Sequence, residues 1–404
     1  MVFFLPNLGE VDIMVLGTAE QIQEKIKQTL GLIKEEKNND VRLALYNYIG
    51  NLYSALSTVK GRKVYPNKKR IFGGLEDYKR FIKKTDFLFD IYDDCFIKHK
   101  SFHSDYFYDI LMNTEGLFVE MINENIEYRV EDNALSEDDF LTIFHDFLQS
   151  IGLEKFFDEI INNRKVFSMN KARNFEQYRG LTLYNPVTGE SNVLINGFEY
   201  SLDSMYTLAH EMGHVYDGFR IYDDGDKEKY LHYNYRSVYL EVIPRIFERL
   251  FLEYLIKNNI CRDAALDKLV DMEINNHDYL VSAYTLSLLD DGIIKDDRYH
   301  SLKPEELVNL VKDYFNDLES IKELFDNKTL RLDEEINYTY GDIMSMFLKE
   351  GIQAEGFSNI EFREFLRTRL EDFNPEFILR HGFTPEVYKE KYISEIKVLR
   401  KVIS

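Results

Sequence analysis

The pattern of apolar residues is helical through most of the first 163 residues. Apolar side chains recur at intervals of three and four from Ala19 to about Asn163, which is the spacing of one helix face. Two such stripes are Leu45, Ile49, Leu52, Leu56 and Phe140, Ile143, Phe144, Phe147. Ser136, with Asp139 three residues later, predicts a helix N-cap before the second stripe. We therefore expect residues 1–165 to form a helical N-terminal region.

The pattern changes near Val166. Two β-prone runs, Leu181–Tyr184 and Val193–Ile195, flank a segment that contains Pro186 and Gly189. Such runs on either side of a Pro/Gly turn predict a β-hairpin. The remainder of the chain again has helical spacing. We therefore expect a mainly α fold in which residues 166–404 form a second region with a small β-hairpin or sheet.

A helical stripe follows the hairpin. Its apolar positions are Met205, Leu208, Ala209, Met212 and Val215. Asp203 and Ser204 are residue types that favour a helix N-cap, and Gly218 is a typical stop signal. The predicted helix therefore spans about residues 202–217.

Two histidines lie on this helix. His210 and His214 are four residues apart, so they share one face and can bind the same metal ion. Glu211 lies beside the first histidine, where its carboxylate can act as general base on a metal-bound water. The pattern predicts a site for one zinc ion per chain. The alternative interpretation is a core helix with two hydrogen-bonded histidines.

The next predicted helix carries two glutamates. Catalytic zinc sites have three protein ligands and keep one position open. Glu241 and Glu248, seven residues apart, lie on one helix face, so one can bind the metal while the other holds a ligand imidazole. Pro244 lies between them and is tolerated if the helix begins near Ile243 or is kinked there.

Composition excludes several classes of partner. The formal net charge is -21, whereas nucleic-acid binding needs a basic surface. No apolar run approaches the roughly 18 residues of a membrane span. The two cysteines, far apart in the sequence, do not form a disulfide framework. We expect no export signal, because the N-terminus has no basic segment and its apolar run is short. We expect a cytoplasmic protein without nucleic-acid or membrane partners; nothing in the sequence indicates its oligomeric state.

Several segments between residue 192 and the last helix form a recognisable set. They are Asn192–Asn196, Leu202–Asp203, Thr207–His214, Glu241 with Glu248, Tyr338–Tyr340 and Gly382–Pro385. In this order they resemble the thimet oligopeptidase and oligoendopeptidase F family of zinc peptidases. Its members typically show an apolar strand, a Leu-Asp link, a T-L-A-H-E-x-G-H helix, a second glutamate motif and a C-terminal tyrosine motif.

The resemblance implies a zincin-like catalytic region, with a substrate channel between it and the helical N-terminal region. The zinc ligands that it implies are His210, His214 and Glu241. It also implies Glu211 as the base and a tyrosine as the donor that stabilises the transition state. This chain departs from the family in being shorter and in having Pro244 and Arg245 after the third ligand. Many members of the family carry a histidine a little before the tyrosine pair, whereas the nearest preceding histidine here is His300, so that role is absent or filled by another group.

Two details of the site stay open at this point. Tyr338 and Tyr340 would point about 200° apart on a helix, so only one can face the metal. We favour Tyr340, because Gly341 after it would let a substrate backbone come close.

An edge strand suits the binding of an extended peptide, and an ordinary surface hairpin is the alternative interpretation of the two β-prone runs. The strand residues expected to bind substrate are Val193, Leu194, Ile195 and Asn196.

The sequence thus predicts a zinc endopeptidase that cuts short, unstructured peptides. One alternative is a processing peptidase or amide hydrolase dedicated to a single substrate. Another is an inactive homologue that only binds peptides, although the presence of Glu211 argues against it because a binding protein needs no base.

Overall fold

The computed structural model describes residues 19–60, 64, 79, 96–123, 135–157, 171–172, 180–185, 188–196, 200–223, 240–296, 298–327, 332–355 and 375–403. The helices are α1 Ala19–Glu35, α2 Asn39–Val59, α3 Lys100–Asn123, α4 Glu137–Ser150, α5 Glu154–Phe157, α6 Leu202–Asp223, α7 Val242–Lys257, α8 Arg262–Leu288, α9 Asp291–Lys295, α10 Pro304–Val311, α11 Leu318–Asn327, α12 Leu332–Glu355, α13 Pro375–Arg380 and α14 Pro385–Ile403. The strands are β1 Lys171–Ala172, β2 Gly180–Tyr184 and β3 Ser191–Asn196. The prediction of a mainly α fold with a small sheet is confirmed. Within these ranges, no helix is both long enough and apolar enough to cross a bilayer.

The chain divides into two compact units. The first comprises Met1–Ile82 and Asn133–Leu231, and the second comprises Lys83–Asp132 and His232–Ser404. The boundary that we expected between residues 165 and 166 lies outside the described residues.

The core of the first unit forms where α1 and α2 pack against each other. Buried residues of this core are Ile22, Ile26, Leu30, Ile33, Leu45, Ile49, Leu52, Leu56 and, from β2, Leu183. The predicted stripe from Leu45 to Leu56 is therefore a buried helix face. Lys25 of α1 forms an ion pair with Glu190, which precedes β3. These contacts attach the hairpin to the helical pair.

The sheet has the strand order β1-β3-β2. β2 and β3 are antiparallel, from the pair Gly180 and Ile195 to the pair Tyr184 and Ser191, so the predicted hairpin is confirmed. β1 pairs with β3 in parallel, at Ile195 and Asn196. In this sheet β3 is the central strand, and β2 is an outer strand.

Helix α6 packs against β2 and β3 and extends beyond its predicted end. Its N-cap is Ser201, whose hydroxyl accepts a hydrogen bond from the amide of Ser204 at 3.3 Å, so the predicted cap at Asp203 or Ser204 is wrong. The predicted stop at Gly218 is also wrong. A methyl group at Gly218 would lie 2.8 Å from the Tyr184 ring, so this glycine permits close packing of α6 on β2.

The second unit is built around α7, α8 and α12, which pack against one another. Helix α7 begins at Val242, so Pro244 is its third residue. The backbone amide of the third residue of a helix has no acceptor within the helix, so proline at this position removes no hydrogen bond. This agrees with the predicted start near Ile243.

A buried polar network joins the three helices. Arg249 of α7 is 1% exposed and forms ion pairs with Glu273 of α8, at 2.6 Å, and with Asp342 of α12. It also donates to the Ser345 hydroxyl at 3.2 Å, and the Tyr388 hydroxyl of α14 donates to Asp342 at 3.2 Å. The network fixes α7, which follows Glu241, against α12, which carries the tyrosine motif.

Candidate metal centre

The two histidines of α6 have the arrangement that their spacing predicts. The ring centroids of His210 and His214 are 5.0 Å apart and the rings are inclined at 82°. Both side chains are half-buried, whereas Leu208, Ala209 and Met212 on the same helix are buried. The imidazoles therefore lie at the margin of the apolar face, where a metal ion can reach them.

Glu211 points into a niche formed by β2. Its side chain is 4% exposed, and the Thr182 hydroxyl donates a hydrogen bond to its Oε2 at 2.6 Å. A methyl group at Gly180 would lie 2.8 Å from Glu211 Cδ, so only glycine leaves room for the carboxylate here. Neither strand residue was among the predicted site residues. The sequence signal that could have indicated them is the alternation of side chains along a strand, which places Gly180 and Thr182 on the same face.

Glu241 is the N-cap residue of α7, and its side chain is 7% exposed. Its carbonyl oxygen accepts a hydrogen bond from the Arg245 amide at 3.0 Å. A methyl group at Gly341 of α12 would lie 2.7 Å from Glu241 Cβ and 3.0 Å from its carbonyl carbon. We expected Gly341 to admit a substrate backbone, but Glu241 fills that space.

The predicted ligands offer a donor set that suits a metal. One ligand atom from each of His210, His214 and Glu241 lies within 4.8 Å of those of the other two. Two imidazoles and one carboxylate, with an open fourth position, are typical of catalytic zinc. A buried carboxylate also requires a compensating positive charge. The chemistry of these residues therefore fits a divalent cation such as zinc.

Arg245 links Glu248 with the first tyrosine of the motif. Its guanidinium donates to Glu248 at 2.8 Å and lies 5.1 Å from the centre of the Tyr338 ring. The Tyr338 side chain is half-buried. The pKa of its phenol is raised well above the usual value, first by the negative charge of Glu241 and then by burial. Tyr338 therefore lies on the side of α12 that faces Glu241.

Tyr340 lies in the core of the second unit. It is 0% exposed, and its phenol shares a hydrogen bond with His103 Nδ1. The pKa of His103 is lowered to about 3, mainly by burial and to a smaller extent by the nearby His99. This imidazole is therefore neutral. The two tyrosines thus have different surroundings, as their spacing predicts. The histidine beside the motif comes from α3, which sequence reasoning did not find.

No protein-family model matches the chain. Over 216 residues it is 24% identical to an oligoendopeptidase F homolog of Borreliella burgdorferi, a match that covers 50% of this chain and 35% of that protein. The chain therefore spans about a third of the length of this curated relative.

A solved structure from Bacillus anthracis, provisionally described as an oligoendopeptidase F, covers 95% of this chain and 75% of its own, at 12% identity and a TM-score of 0.49. The sequence match confirms the predicted resemblance, because the chain is similar to an oligoendopeptidase F homolog over half of its length.

Proposed function

We propose that this chain is a zinc-dependent metallopeptidase that hydrolyses internal bonds of short, unstructured peptides. The observation that carries the proposal is the arrangement on α6, where His210 and His214 are one turn apart and Glu211 is held in the niche of β2. The name of the Borreliella burgdorferi relative, an oligoendopeptidase F homolog, supports the same class of reaction.

In this proposal His210, His214 and Glu241 hold one zinc ion. Bound zinc would supply Lewis-acid polarisation of the scissile carbonyl and would acidify the attacking water. Arg245 pairs with Glu248 and keeps its carboxylate in place. Glu248 would orient one of the ligand imidazoles from the side away from the metal.

Glu211 is the proposed general base. Its carboxylate would accept the proton of the attacking water and then pass it to the leaving amine. We assign the donor for the oxyanion to Tyr338, because its side chain is half-buried and lies near Glu241. The phenol of Tyr340 is buried and bonded to His103, which argues against the choice that the sequence favoured. Removing a donor of this kind typically lowers kcat by about 10²–10³-fold.

For the substrate we propose an extended backbone that adds to the sheet beside α6. Such pairing recognises any unfolded peptide through its main chain. β3, predicted for this role, has a strand partner at each edge, β2 on one side and, at Ile195 and Asn196, β1 on the other. The outer strand β2 is therefore the better candidate, and it packs directly on α6. The absence of nucleic-acid and membrane partners and a cytoplasmic location both stay predictions.

Incubating the protein with a mixed peptide library, read by mass spectrometry, tests this function. We expect internal cleavage of many short peptides, inhibition by a chelator and recovery on adding zinc. Cleavage of a single peptide would favour the dedicated processing enzyme. Peptide binding without cleavage would favour the inactive homologue.

Replacing His214 with alanine should remove most of the bound zinc, because two ligands remain where catalytic sites use three. Metal analysis of the purified proteins measures this, with about one zinc per wild-type chain expected. The control is His300→Ala, a change at an exposed histidine that should leave the zinc content unchanged. Equal zinc in the His214→Ala and wild-type proteins would contradict the assignment.

The substitution Gly341→Ala should weaken zinc binding by about 10–100-fold, the range seen when groups that orient a ligand are changed. The reason is that the new methyl group displaces Glu241. Competition with a chromophoric chelator measures the affinity. Gly116→Ala on α3 is the matched control, since a methyl group there meets no atom within 4 Å. The same affinity in both variants would show that Glu241 does not depend on this contact.

A further inference from the structure

We propose that Thr182 is a positioning residue that holds the carboxylate of Glu211 in the orientation required of a base. The inference rests on the function proposed above for this site. It concerns a residue that no sequence motif indicated, 29 residues before the glutamate that it contacts.

The hydrogen bond has a defined direction. The Thr182 hydroxyl carries one hydrogen and has two acceptors within reach, Glu211 Oε2 at 2.6 Å and the Glu211 carbonyl oxygen at 3.2 Å. Bonds to an ionised acceptor are shorter and stronger than bonds to a neutral one. The hydroxyl therefore donates to the carboxylate, and one carboxylate oxygen of Glu211 has a fixed position.

Alternation along β2 places this hydroxyl opposite α6. Gly180, Thr182 and Tyr184 lie on one face of the strand, and each contacts α6, the first two at Glu211 and the last at Gly218. The other face carries Leu183 into the core formed by α1 and α2. A strand held on both faces is a rigid support for a base.

Rigid support matters because a glutamate side chain has several rotatable bonds. Proton transfer requires the base within hydrogen-bond reach of the attacking water. A misplacement of about 1 Å can cost about 10²-fold in rate. Gly180 leaves space for the carboxylate, and Thr182 selects one orientation within that space.

The test compares Thr182→Val, which removes the hydroxyl and keeps the β-branched shape, with Thr182→Ser, which keeps the hydroxyl. We expect Thr182→Val to lower kcat by about 10–100-fold with KM, zinc content and melting temperature close to wild type. Thr182→Ser should recover most of the loss. Thr142→Val, at an exposed threonine of α4, is the matched control and should behave as wild type.

A second variant reaches the same carboxylate from the other side and covers the case that Thr182→Val fails to fold. The methyl group of Gly180→Ala would lie 2.8 Å from Glu211 Cδ and should displace it, with loss of kcat and retention of zinc. Wild-type kcat in Thr182→Val, or a serine variant as slow as the valine variant, would overturn the proposal.

Crystal structures of metal-free wild type and Thr182→Val give a measurement independent of activity. We expect the Glu211 carboxylate to leave its position in the valine variant. If the carboxylate has the same position in both crystal structures, Thr182 does not position it, whatever the activity of the variant. A wild type that cuts no peptide would instead refute the proposed function, while the crystallographic comparison would still decide the role of Thr182.

Discussion

Replacing Glu211 with glutamine is expected to lower kcat by about 10²–10⁴-fold, the range that a positioned general base contributes. The amide has the shape of the carboxylate but does not accept the proton of the attacking water. The Thr182 hydroxyl can still donate to the amide oxygen, so the fold and the zinc content should be retained. Steady-state kinetics on a peptide from the library, with metal analysis of the same preparation, measures both.

The control for this change is Glu154→Gln, at an exposed glutamate in the first turn of α5. It should have wild-type kinetics. A Glu211→Gln protein with turnover close to wild type would show that another group is the base. Zinc lost together with activity would show that Glu211 supports the metal rather than the proton transfer.

The substitution Arg249→Leu is expected to destabilise the second unit by about 3–5 kcal/mol, the cost of breaking a buried ion pair by removing one partner. Glu273 and Asp342 would remain buried without the guanidinium that compensates their charge. Urea denaturation followed by circular dichroism measures the change in the free energy of unfolding.

Arg298→Leu is the matched control for this experiment. Arg298 is paired with Asp296 at the surface, so its loss should change stability by no more than about 0.5 kcal/mol. An Arg249→Leu protein as stable as the control would show that the helices α7, α8 and α12 do not depend on the ionic network for their packing.

Features that depend on neighbouring residues were predictable from the sequence. Ser136 caps α4 with the predicted bond to the Asp139 amide, at 3.1 Å. α14 begins at Pro385, and proline is favoured at the first position of a helix. The spacing of His210 and His214 gave their common helix face. These outcomes follow from dihedral preferences and periodicity, which act over a few residues.

Contacts between distant segments were not predictable in this way. Thr182 reaches Glu211 from a strand, and His103 reaches Tyr340 across 237 residues. No local pattern marks a threonine or histidine that packing will bring to another element. Glycine is ambiguous for the same reason. Gly218 resembled a helix end and Gly341 a point of substrate access, whereas both accommodate a neighbouring side chain.

The two faces of β2 connect the folding of the hairpin with the chemistry proposed for α6. Because side chains alternate along a strand, a shift of one residue in the pairing with β3 would turn Thr182 towards the apolar core and Leu183 towards Glu211. The segment Asn185–Glu190, closed by a hydrogen bond from the Asn185 amide to the Glu190 carbonyl at 2.7 Å, sets that pairing. A change in the length of this turn would shift the pairing, so the turn is under the same constraint as the base itself.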